Sequence, residues 1–284
     1  MAHDLPAWVA ELTDPRRART VDELADRLVP LAEHAVDVSR RMQALLNELN
    51  DPFKQDAMHG RVERLKERSG EALDEITEEI AASGRERVDR IWSGWRERAA
   101  ADGADGPDED VLRRRLDADI VPLVTLQAQE AARRVAAATS EGLGEAARTL
   151  LTRIDELAKV VTELIHDVLP LAREGLTLAG RISALSTRAR QAPRGPVPDD
   201  LRDEGEETAR AFDEAVARLE LEWAALGSRA AGVRAALRGA EETAFSQVTG
   251  TMTRCVEELA PEHVRALDEA EARARALLEE IVRG

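Results

Sequence analysis

The stretch Leu143 to Leu185 reads LGEAARTLLTRIDELAKVVTELIHDVLPLAREGLTLAGRISAL. Leu143, Leu150, Leu157, Leu164, Leu171, Leu178 and Leu185 are spaced by seven. Between them stand Ala147, Ile154, Val161, Val168, Gly175 and Ile182. In heptad terms Leu fills position d, and β-branched or small residues mostly fill position a. Nearly fifty residues at about 1.5 Å each predict a helical rod of roughly 70 Å. The loop Ala192-Pro-Arg-Gly-Pro-Val-Pro198 ends it, because proline cannot continue a helix.

Helical pattern surrounds this stretch on both sides. Asp14-Pro15 reads as a cap followed by proline at a first helical position. Thr20-Val-Asp-Glu23 reads as a capping box. From Val21, apolar residues recur in steps of three and four through Leu24, Leu28, Leu31, Ala35, Val38, Met42, Leu45 and Leu49. Asn50-Asp51-Pro52 ends that helix. A second helical region, with Leu65, Ile76, Val88 and Ile91 on one side, runs to about Ala101. A third runs from Asp108 to near Thr139, where Gly142 and Gly144 loosen the chain. Helical pattern resumes at Asp199 and continues to the C-terminus, with a break expected near Gly239. A short helix is also expected over Leu5–Leu12.

Composition agrees with an all-α chain. The 284 residues are 43% hydrophobic and 34% charged, with no Tyr and only 2% aromatic. Strand-rich cores use more aromatic and β-branched residues. The net charge of −16 repels phosphate backbones, so nucleic acid is not an expected partner. One cysteine, Cys255, excludes an intramolecular disulfide and any CxxC metal motif. The N-terminus lacks the basic start and apolar run of a signal peptide. The longest uncharged apolar stretch, Ile120 to Gln129, falls short of the roughly 20 residues a spanning helix needs. A cytoplasmic protein is therefore expected.

A shift of 140 residues aligns Val21-Asp-Glu-Leu24 with Val161-Thr-Glu-Leu164. The same shift aligns Pro30-Leu-Ala32 with Pro170-Leu-Ala172, and Arg41-Met-Gln-Ala-Leu45 with Arg181-Ile-Ser-Ala-Leu185. A shift of 139 pairs Pro122 with Pro261. The expected architecture is an elongated antiparallel helical bundle of two duplicated three-helix units. The first unit would cover 15–140 and the second 141–284, after an N-terminal segment 1–14. The linker 192–198 falls inside the second.

A feature shared by both halves is read as structural, and one present in a single half as a candidate for function. Pro30, Pro122, Pro170 and Pro261 repeat, and are expected to be kinks or hinges. An interior proline costs about 3 kcal/mol through a lost hydrogen bond and a clash. Trp92 and Trp95 do not repeat; Ala231 and Arg234 stand in their places. Lying three apart on one helix, they are the expected partner-binding pair, since Trp is favoured at binding hot spots.

Glu163-Leu-Ile-His166 matches the ExxH pattern of carboxylate-bridged metal bundles. Its heptad positions, c and f, point outward. Glu163 and His166 are thus weak metal candidates, and no metal or other cofactor is expected. Phosphate loops, HExxH and nucleophile elbows do not occur. The expected function is a non-enzymatic scaffold or adaptor that binds a protein or a second copy of itself. Membrane association, as in pore formers or remodelling stalks, is the first alternative. A metal-binding bundle is the second.

Overall fold

The structure is a computed structural model describing residues 12–102 and 109–283. Most of the helix expected over Leu5–Leu12 lies outside them. Five α-helices follow in order: α1 (Val21–Asn50), α2 (Gln55–Asp102), α3 (Glu109–Asp119), α4 (Val121–Gln191) and α5 (Asp199–Arg283). Short 3-10 turns occupy Pro15–Arg17 and Asp51–Phe53. Among the described residues there is no β-strand, only an isolated bridge between Thr20 and Pro196. The chain is all-α.

Local chemistry sets the ends of α1. The Glu23 amide donates to Thr20 Oγ1 at 3.3 Å. The Glu23 carboxylate in turn accepts the Arg19 amide at 2.8 Å. This is a capping box displaced by one residue, since the usual reciprocal donor is the cap residue's own amide. At the other end Pro52 forces the chain out of α1, and Lys54 closes the turn onto the Asp51 carbonyl at 3.2 Å. Asp14 caps the preceding turn by accepting the Arg16 amide at 3.0 Å.

The chain forms two compact units. Unit 1 comprises 1–58 and 153–238, and unit 2 comprises 59–152 and 239–284. These units cut across the contiguous segments 15–140 and 141–284. The reason is that α4 and α5 each supply a stretch to both units, so folding partners are distant in sequence.

In unit 1, α1 buries Val21, Leu24, Leu28, Leu31 and Ala35 against Ile182, Leu185, Leu201, Phe212 and Ala215. Full burial of each large aliphatic contributes about 2 kcal/mol. The heptad residues Leu150, Ile154, Val161, Leu164, Val168, Leu178, Ile182 and Leu185 are all buried. The chain itself covers that seam. In unit 2, α2, α3, α4 and α5 contribute Ile91, Trp95, Leu112, Leu116, Ile120, Val124, Leu267, Ala270 and Ala274.

Two expected interruptions are absent. Gly239 lies inside α5, where the Thr243 hydroxyl donates to its carbonyl at 2.7 Å. Gly142 and Gly144 lie inside α4. A helical glycine costs about 1 kcal/mol, which the packing of neighbouring apolar residues outweighs. Gly142 is buried and has a use: a Cβ there would come within 3.2 Å of Thr251 on α5. The boundary between units does fall at Arg238 and Gly239, although the helix runs through it.

Candidate functional site

Trp92 and Trp95 lie in unit 2, near the C-terminal end of α2. Their rings stack with centroids 5.3 Å apart and planes 26° from parallel. Trp95 is 7% exposed and belongs to the core with Leu112, Leu116 and Ala270. As a surface feature the pair therefore reduces to Trp92, which is half-buried. Residues three apart on a helix diverge by about 60°, enough to turn one ring inward and leave the other at the rim.

Two residues of α3 complete this corner. The Arg113 guanidinium lies 5.8 Å from the Trp92 ring centroid, within cation–π range. Arg96, one turn beyond Trp92, pairs with Glu109 at 2.9 Å. Glu109 and Arg113 stand four apart on α3, the spacing at which opposite charges can meet along one helix. In the structure each reaches across to α2 instead. The same holds elsewhere. Arg134 reaches Glu262 of α5 at 2.8 Å, and Arg218 engages Glu174 of α4. Of the same-helix pairs, Glu86 and Arg90 do meet, at 3.0 Å.

The prolines divide into two kinds. Pro30, Pro170 and Pro261 lie inside α1, α4 and α5. Each lacks the amide that would donate to the carbonyl four residues back, at Asp26, His166 and Glu257 respectively. Pro122 is different. It occupies the first turn of α4, where a missing amide costs nothing. The chain enters α4 smoothly, with the Ile120 amide on the Leu116 carbonyl at 2.9 Å and the Val124 amide on the Ile120 carbonyl at 3.1 Å. Pro122 marks a helix junction rather than an interior kink.

Glu163 and His166 are both exposed on α4. Their outward placement follows the heptad register. Among the described residues, no three His, Cys, Asp or Glu side chains gather as a metal-holding group. Nor is any helix among them long and apolar enough to cross a membrane. Cys255 is half-buried on α5, and Trp223 is half-buried as well. Trp8 lies outside the described residues.

The structure also brings together groups that periodicity could not. Arg87 of α2 bridges Asp268 and Glu271 of α5, both at 2.9 Å. Burial works to raise the Glu271 carboxyl, but Arg87 and Arg275 outweigh it and hold it below the usual carboxylate range. Arg61 and Arg64 converge on Glu241, and Arg68 lies 4.0 Å over the Phe245 ring. Two histidines, His34 and His263, each keep a shielded Nε2 with no hydrogen-bond partner among the described residues. No protein-family model matches the chain, and no curated protein matches it either.

Proposed function

We propose that this chain is a non-enzymatic helical scaffold that holds a protein partner at the Trp92–Arg113 corner. The observation that carries this reading is the support beneath Trp92. Its ring is stacked on buried Trp95 and flanked by Arg113. A large aromatic held in place before binding loses little freedom on contact, and Trp and Arg are the residues most enriched at binding hot spots.

The reading includes an antiparallel bundle built from two duplicated three-helix units. Under the 140-residue shift, buried positions of α1 fall on buried positions of α4. The pairs are Val21/Val161, Leu24/Leu164, Leu28/Val168, Ala32/Ala172, Ala35/Gly175, Ser39/Ala179 and Met42/Ile182. The two helices also pack on each other in opposite directions. Ser186 donates to the Ala25 carbonyl at 3.2 Å, and a Cβ on Gly175 would stand 3.7 Å from the Ala35 carbonyl oxygen. Ala35 and Gly175 are equivalent residues in contact, as expected where a helix meets its own copy about a local two-fold axis. The proposal carries a cytoplasmic location with it, in keeping with a single unpaired cysteine.

Affinity capture from the native host with wild-type protein and Trp92→Ala tests the corner directly. The expected result is a captured protein that Trp92→Ala loses while its melting curve stays close to wild type. An identical set of captured proteins overturns the reading.

A second reading, association with a membrane surface, is favoured by Leu126 at 54% exposed and Leu176 at 51%, both on α4. Co-sedimentation with neutral and anionic vesicles at low salt tests it. Recovery of all the protein in the supernatant removes it.

A further inference from the structure

His34 lies on α1 within unit 1 and faces α5. Its ring packs against Phe212, with centroids 6.2 Å apart and planes tilted by 56°. Its Nε2 is shielded from solvent and has no hydrogen-bond partner among the described residues. A neutral imidazole tolerates this place. With its single proton on Nδ1, the buried Nε2 is only an unfilled acceptor. An imidazolium does not tolerate it. The second proton must sit on Nε2, which makes a shielded charged donor without an acceptor among the described residues.

The surrounding charges do not relieve that penalty. Glu220 acts on His34 from α5, and Asp37 and Arg41 act from α1 itself. Asp37 is engaged with Arg41 at 2.5 Å. On α4, opposite this turn, Glu174 is taken by Arg218 of α5. Burial outweighs the pull of Glu220 and Asp37 and holds the imidazole below its usual value.

We propose that His34 is a proton-sensitive wedge, whose protonation drives its ring away from Phe212 and opens the α1–α5 contact of unit 1. The face it uncovers is apolar, because Leu31, Ala35 and Ala215 share a cluster with Phe212. Mild acid would thus expose hydrophobic surface in unit 1 from a closed neutral state.

Hydrogen exchange of the full chain at pH 7.5 and 5.5, corrected for intrinsic rates, tests this together with an NMR titration of the five histidines. The expected result is a protection loss of about threefold or more at pH 5.5 over residues 30–38 and 209–216, because the open form takes up the His34 proton more readily than the closed one. His34→Gln and His34→Phe should each abolish that loss. Gln tests a polar replacement and Phe an apolar one, so a variant that fails to fold leaves the other as the test. The proposal is overturned if His34 titrates at the ordinary imidazole value. It is equally overturned if a folded variant of either kind keeps the full pH-dependent loss.

Discussion

Gly175 of α4 lies so close to Ser39 of α1 that a methyl group on Gly175 would overlap the Ser39 hydroxyl. That hydroxyl donates to the Ala35 carbonyl at 2.8 Å inside unit 1. Two opposed effects act on Gly175→Ala. Helix propensity favours Ala by about 1 kcal/mol. Displacing the Ser39 hydroxyl leaves a buried polar group unpaired, at about 1–3 kcal/mol. Gly175→Ala should therefore lower stability by about 1 kcal/mol in urea denaturation. In a Ser39→Ala background the hydroxyl is gone, and the same change should raise stability by a similar amount. Two losses of equal size would show that the overlap is not with that hydroxyl.

The stacked tryptophans should separate cleanly. Trp95→Ala empties a core site and should cost about 3–5 kcal/mol. Trp92→Ala removes a half-exposed ring and one cation–π contact, and should cost roughly 1 kcal/mol. Chemical denaturation of both variants measures this. Equal losses would mean that Trp92 is as much a core residue as its neighbour.

The two kinds of proline should respond in opposite directions. Pro170→Ala restores an amide that can close onto the His166 carbonyl, and should raise stability by about 1 kcal/mol. Pro122→Ala has no such bond to restore. It only frees the unfolded chain, and should lower stability by about 0.5 kcal/mol. Thermal melts of the two variants report the signs. If Pro170→Ala destabilises, the surrounding packing depends on the proline ring.

Acid should weaken unit 2 in two stages. Burial, with Arg87 nearby, holds His263 below the ordinary imidazole value. As pH falls below about 6.5 the unfolded chain takes up that proton first, so stability declines from there downward. Glu271 is a depressed carboxyl, so its contribution is complete above about pH 4.3 and is lost as pH falls through its lower folded value. Calorimetry across pH 7.5 to 3 should show the upper decline shrink in His263→Gln and the lower one shrink in Glu271→Gln. A decline unchanged in both would assign the acid response to other groups.

How much of this was legible in the sequence depends on the range of the forces involved. The ends of α1 and the loop 192–198 were legible because Thr20, Pro52 and the clustered prolines act on their own backbone. Gly142 and Gly239 misled because the same local logic scores glycine as a break. What holds the helix there is distant, as with Thr251 against Gly142. Pairs such as Glu109 and Arg113 satisfied a rule for isolated helices, but arginine is long enough to choose a carboxylate on the next helix. The inward turn of Trp95 could not be read locally, since Leu112 and Ala270 close over it from elsewhere. Most of the heptad positions are buried, whereas Leu143, Ala147, Leu157 and Leu171 are half-buried, and the pattern says nothing about which helix covers them.

The proline-rich connection between α4 and α5 has a consequence for handling the molecule. Gly195 accepts the Val21 amide at 3.3 Å, and Val197 donates to the Arg19 carbonyl at 3.4 Å with its side chain 5% exposed. A segment that looks like a free tether is bolted to the start of α1. Proteases need an extended, detachable backbone, and inserted tags need a loop whose ends are already slack. This loop offers neither. Cleavage or insertion at 195–197 should release the cap over the first turn of α1, so the most dispensable-looking joint in the chain is a poor place to cut it.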